Sequence, residues 1–146
     1  MTKLHLIVIV AGLTMAGCPK KSGGTSTPTG GGGDTAAKPL ANNMADAPKH
    51  AVGSTLDLKP ACNQDEYMVL DVAEGTPFTI DAKPSEGCMH VTVMKDNGSS
   101  NDMPNLEVCA DAVKPPMEAV GQATRTLVSF REVGACKGIS ATVSFK

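Results

Sequence analysis

Five cysteines carry most of the reactive chemistry this chain offers: Cys18, Cys62, Cys88, Cys109 and Cys136. A thiolate can act as nucleophile, metal ligand or disulfide partner. No two of the last four cysteines lie within four residues of each other, so the Cys-x-x-Cys redox spacing and the zinc-knuckle spacing are both missing. The histidines are His5, His50 and His90, and none belongs to a His-Glu-x-x-His pair; a Gly-x-Ser-x-Gly elbow is also missing. The glycine run Gly30 to Gly33 follows no strand pattern and precedes no Lys-Ser, so it is not a phosphate cradle. The expectation is a protein that is not an enzyme, with no catalytic residue and no cofactor assigned.

Two metal readings are weighed. Cys88-Met89-His90, with Met94 and Met103 nearby, offers soft donors for copper, but strand alternation sends Met89 and Met94 to opposite faces. The oxygen donors Asp96, Asn97, Asn101 and Asp102 suit calcium, yet their spacing is not that of an EF-hand, and Asn97-Gly98 is ordinary turn chemistry. No metal site is assigned. A copper- or calcium-binding accessory protein of the cell envelope stays as the alternative function.

Cys18 stands in a different setting from the other four. Lys3 supplies a positive start, Leu4 to Leu13 an apolar core, and the small residues Ala16 and Gly17 precede the cysteine. This is the layout of a secretory signal peptide over residues 1–17, too short for a span that needs about 20 apolar residues. Met15-Ala16-Gly17-Cys18 resembles the lipobox of bacterial lipoproteins, with Met where Leu is usual. The resemblance implies cleavage before Cys18 and a diacylglycerol on its sulfur, so that membrane lipid is a partner through Cys18. Pro19 is not the aspartate that retains such proteins at the inner membrane, which implies the outer membrane.

Cys18 and the residues up to 51 are rich in Gly, Ser, Thr, Pro and Ala. So little apolar surface cannot offset the entropy of ordering, and residues 18–51 read as a lipidated cysteine with a disordered tether. About 32 flexible residues would span on the order of 30 Å.

Residues 52–146 change character. Short strands are expected at 55–58, 66–72, 77–82, 88–94, 106–110, 124–133 and 139–145, separated by turn residues, with a single helical turn allowed within 114–122. Ile139, Ala141, Val143 and Phe145 alternate with polar residues, and so do Met89, Val91 and Val93. The fold class is all-β: a small antiparallel β-sandwich, jelly-roll-like, with two disulfides, preceded by the tether. DEYMVLDV, EGTPFTI, VTVMKDNG and the closing LVSFREVGACKGISATVSFK follow one another as in the pre-peptidase C-terminal type of bacterial β-sandwich, which this domain resembles over about residues 65–146. It departs from that type in lacking a tyrosine-rich ending and in adding four cysteines.

An export signal places these cysteines in an oxidising compartment, where an even number reads as disulfides. Four cysteines allow three connectivities. Cys88 and Cys109 both point away from the apolar faces of strands that would form a hairpin across DNGSSNDMPN, which favours Cys88–Cys109 and leaves Cys62–Cys136.

The whole chain carries a formal charge of −2, and loss of Lys3 with the signal peptide leaves twelve basic against fifteen acidic side chains. These charges are scattered without a basic stripe, which excludes nucleic acid as a partner. Phe78, Phe130 and Phe145 each share a face with aliphatic residues, leaving Tyr67 alone as a candidate sugar platform. The expected function is a membrane-anchored envelope lipoprotein acting as a non-catalytic binding or structural module, toward an envelope protein or polysaccharide. Cys18→Ser is expected to abolish incorporation of labelled fatty acid; undiminished label in the variant would refute acylation at this residue.

Overall fold

The computed structural model describes residues 38–146. The expected signal peptide over 1–17, Cys18 and the part of the expected tether up to residue 37 lie outside the described residues. Nine strands are formed among the described residues: β1 (Lys49–Ala51), β2 (Thr55–Leu58), β3 (Glu66–Asp71), β4 (Pro77–Pro84), β5 (Cys88–Met94), β6 (Asn105–Cys109), β7 (Met117–Val120), β8 (Thr126–Val133) and β9 (Ala141–Phe145).

They build two sheets, one ordered β1-β3-β8-β5-β6 and the other β2-β9-β4-β7. Leaving out β1, strands β2 to β9 cross from one sheet to the other at every step except the β5–β6 hairpin, which stays within the five-stranded sheet, a jelly-roll-like order. Every pairing is antiparallel except that of β1 with β3.

Period-two alternation explains which residues meet between the layers. From one sheet come Met68, Leu70, Met89, Val91, Val93, Val128 and Phe130; from the other come Leu58, Phe78, Ile80, Val143 and Phe145, all buried. The outer face of the five-stranded sheet carries a second, smaller apolar cluster of Val69, Met94 and Leu127, sealed by Met44, Ala47 and Tyr67.

That second cluster corrects the tether boundary expected at residue 51. Leu40 is only 3% exposed and belongs to the main core. Ala41 exchanges two backbone hydrogen bonds with Tyr67, at 2.9 and 2.7 Å. Asn43 then turns the chain, its side chain accepting from the Asp46 amide and donating to the Asp46 carboxylate, each at 2.9 Å. The returning chain enters β1 parallel to β3. A few apolar side chains suffice here because they fill an existing sheet surface and need no core of their own.

The helical turn allowed within 114–122 is likewise corrected. Met117 and Ala119 are buried while Glu118 and Val120 are exposed, and the segment is the edge strand β7, paired with β4. The pairing with β4 supplies hydrogen bonds that an isolated turn would lack.

The two disulfides are Cys62–Cys136 and Cys88–Cys109, closing separations of 74 and 21 residues. Constraining the unfolded chain in this way contributes about 4.5 and about 3 kcal/mol in the chain-entropy treatment. Such help matters for a domain this small, whose buried fraction is modest.

Gly121 sits where the loop after β3 folds back on the end of β7. It donates to Thr76 O and accepts from Gly75 N, both at 2.9 Å, and an added Cβ would run into the Ala73 carbonyl. Backbone cannot swing aside as a side chain can, so Gly121→Ala is expected to lower stability by about 2 kcal/mol or more. The shift in denaturant midpoint measures this; an unchanged midpoint would mean the loop has room to move.

Candidate functional site

Two regions of the surface gather side chains that could act on something else. The first is an open groove of about 650 Å³ between the β4–β7 edge and the loop joining β5 to β6. Its floor is apolar because Phe78 and Ala119, directly paired across β4 and β7, point toward the core. Met103, Pro104 and the half-exposed Val120 extend the apolar wall outward, and Asp102, Glu118 and Lys146 supply charge around it. Asp102 holds a left-handed φ of 60°, and Met103 N donates to Ser100 O at 3.1 Å, so a tight turn projects this wall. The groove runs beside β7, whose pairing among the described residues is with β4 alone. One carbonyl on this strand, that of Val120, is taken by the Gln122 side chain at 2.9 Å.

The second region is a polar row across the outer face of the five-stranded sheet. Strand register sets Glu107 opposite His90 and His90 opposite Arg131. His90 Nε2 lies 3.5 Å from Glu107, and Arg131 Nη2 lies 3.4 Å from His90 Nδ1. An arginine can only donate, so Nδ1 accepts and the ring proton on Nε2 faces the carboxylate. Arg131 also reaches Asp65 at 3.8 Å, while its buried Nε finds no acceptor. Beside this row Tyr67 is half-buried, and its phenol is pushed above the ordinary value, first by desolvation and then by the Asp65 charge, against a smaller opposing effect of Arg131.

The sequence-derived candidates fall in several places. Cys88 and Cys109 are opposed across the β5–β6 hairpin. Ala110 N donates to Gly87 O at 2.9 Å one step away, so the two cysteines occupy the narrower, non-hydrogen-bonded position of the ladder. Cys62 and Cys136 sit beside two buried carboxylates, each 2% exposed. Glu132 accepts from the amides of Lys137, Gly138 and Ile139 at 2.5 to 3.4 Å, fixing the turn that holds Cys136. Glu66 accepts from Ala61 N at 2.9 Å and from Lys38 Nζ at 2.5 Å, fixing the approach to Cys62. Cys18 lies outside the described residues.

The donors considered for metals are engaged elsewhere or apart. Met89 is a core residue, whereas Met94 packs in the outer cluster. Asp96 pairs with Arg125, and the Asn97 side chain accepts from Ser99 N at 2.9 Å. The three phenylalanines are all buried, at 3% exposure or less.

The groove is what sequence reasoning missed. Its signal lies in Met117-Glu118-Ala119-Val120, where alternation over four residues is too short to outweigh the prolines before it. His50, given no role from sequence, lies 3.1 Å from the Pro39 carbonyl and helps close the N-terminal segment onto β1.

Among solved structures, the fold is similar to the pre-peptidase C-terminal domain of a collagenase from Bacillus anthracis, with a TM-score of 0.50 and 12% sequence identity over 69% of this chain and 95% of that one. No family model and no curated protein matches the chain. The class defined by fold and site is therefore a disulfide-bonded jelly-roll sandwich with a groove at one edge.

Tyr67 is the single tyrosine and the chain has no tryptophan, so phenolate absorbance reports it alone. With its folded value raised, the proton is held more tightly in the native state. Any contribution to stability is complete below the unfolded value and disappears as pH climbs through the folded one. The native ultraviolet titration is expected to have its midpoint above that of the urea-unfolded chain; coincident midpoints would contradict the burial described.

Proposed function

We propose that this protein is a lipid-anchored, non-catalytic binding module of the bacterial envelope, held in the outer membrane through Cys18. Its groove receives an extended segment of another envelope protein. The observation that carries this reading is the placement of the groove relative to the point where the chain joins the fold. Lys38 and Leu40 lie beside β2 and β3, at one side of the sandwich, where Lys38 reaches Glu66. The groove lies by β4, β7 and the β5–β6 loop, toward the opposite ends of both strand orders. A chain anchored at its N-terminal side thus offers the groove away from its attachment.

A polypeptide suits this surface better than a sugar. The phenylalanines are internal and Tyr67 lies away from the groove on the outer face of the five-stranded sheet, so no exposed aromatic ring stands at the groove as a stacking platform. The free side of β7 presents backbone donors and acceptors, and the adjacent apolar wall can take alternate side chains of an added strand. Short length and the preceding Pro115 and Pro116 keep the same edge from pairing indiscriminately.

A photoreactive side chain placed at Val120 in the full chain, produced in the source cells, is expected to yield a defined protein adduct. One placed at the fully exposed Val113, outside the groove, is expected to yield none. Met103→Asp should cut the Val120 adduct at least about tenfold without releasing the protein from membranes, since an apolar anchor is replaced by a charge at a docking surface. Equal adducts from both positions, or an adduct indifferent to Met103→Asp, would overturn the groove as the binding site.

A further inference from the structure

Independent of the groove, the outer face of the β5–β6 hairpin brings two sulfurs and a carboxylate together. The Sγ atoms of Cys88 and Cys109 and a carboxylate oxygen of Glu107 all lie within 4.8 Å of one another. Glu107 is two residues before Cys109, so strand alternation places both on one face of β6. His90, directly opposite Glu107, holds its Nε2 at 3.5 Å from that carboxylate. As a disulfide the two sulfurs are closed to a metal. As thiolates they are strong ligands for a borderline-soft ion, and a carboxylate completes a donor set that zinc accepts.

We propose that Cys88–Cys109 is the closed form of a zinc site, opened by a thiol reductant and formed by Cys88, Cys109 and Glu107. In the opening step the protein disulfide takes two electrons from two reductant thiols, which leave as their own disulfide, and two protein thiols form. Zn²⁺ then displaces the two thiol protons to solvent and binds both sulfurs and a Glu107 oxygen, leaving a fourth position for water. His90, tied to Arg131 on its other nitrogen, is the positioning residue that orients the Glu107 carboxylate.

The fold survives the opening. β5 remains paired along its length with β8 and keeps its register with β6 on one side of the cysteines. The bridge closes only 21 residues, against 74 for Cys62–Cys136, so its loss releases the smaller share of chain entropy. A tetrahedral ion with Zn–S bonds of about 2.3 Å needs its sulfurs about 3.8 Å apart, within reach of facing cysteines on paired strands. Cys88 and Cys109 are both half-buried, and Glu107 is exposed, so reductant and ion have access. The other bridge lacks a free ligand, because the carboxylates beside it are occupied by backbone amides.

The test uses the full chain with Cys18→Ser, so that the N-terminal thiol adds no ligand. After graded reduction that opens Cys88–Cys109 and leaves Cys62–Cys136 closed, checked by mass spectrometry of a non-reduced digest, and anaerobic removal of the reductant, Co²⁺ titration is expected to give a near-ultraviolet thiolate-to-cobalt absorbance. That absorbance should saturate at one equivalent and be displaced by Zn²⁺. The oxidised protein should show none. Glu107→Gln, at an exposed position that leaves folding alone, should weaken Zn²⁺ binding about tenfold or more, and His90→Ala about 10- to 100-fold. Cys88→Ser should remove the cobalt band while Cys62 and Cys136 remain. A reduced protein that loses its strand circular dichroism, that shows no cobalt band, or that keeps full affinity in Cys88→Ser and Glu107→Gln would each overturn the proposal.

Discussion

Strand β8 is held on both sides, by β3 and by β5, and much of the molecule is positioned by that double pairing. Its inward side chains, Val128 and Phe130, are fully buried at the centre of the core. Its outward side chains set the polar row through Arg131 and the small apolar cluster through Leu127. At its end Glu132 turns inward and gathers three amides of the next turn, which keeps a carboxylate out of water without leaving it unpartnered. A slip of one residue in this strand would exchange these two faces and bring Arg131 into the core.

The same strand links the two kinds of covalent closure. Cys62 makes a parallel bridge to Glu132, and its disulfide joins the chain before β3 to the turn before β9. Cys88 lies opposite Val133, and its disulfide joins β5 to the edge strand β6. One bridge therefore ties distant parts of the chain, and the other ties a local hairpin. The first sits among buried carboxylates already committed to backbone, and the second among exposed groups free to act. That contrast underlies the assignment of a structural role to one and a chemical role to the other.

Edges account for the remaining features. The five-stranded sheet is flanked on one side by β1, short and parallel, and on the other by β6, where Lys114 covers a carbonyl of Glu107 at 2.6 Å. The four-stranded sheet ends at β7, beside which the groove opens. Presenting an edge strand next to an apolar depression creates both the docking surface proposed and an aggregation hazard. The shortness of β7 is the compromise between the two.

Residue alternation alone was enough to place the strands of the core, since Met89, Val91 and Val93, or Ile139 through Phe145, have a period that only a half-buried strand satisfies. It also set Cys88 and Cys109 on the outward faces of neighbouring strands. Residues 38–51 and 117–120 were not legible in this way. Their apolar content is too low to declare a strand, and they are ordered by surfaces that other parts of the chain provide: β3 and the outer cluster for the first, β4 for the second. The groove was invisible for the same reason, because Phe78, Met103 and Val120 are distant in sequence and meet only once two sheets have packed. Local periodicity is written residue by residue, whereas edges and clefts are properties of where packing stops, and that is decided by the folded whole.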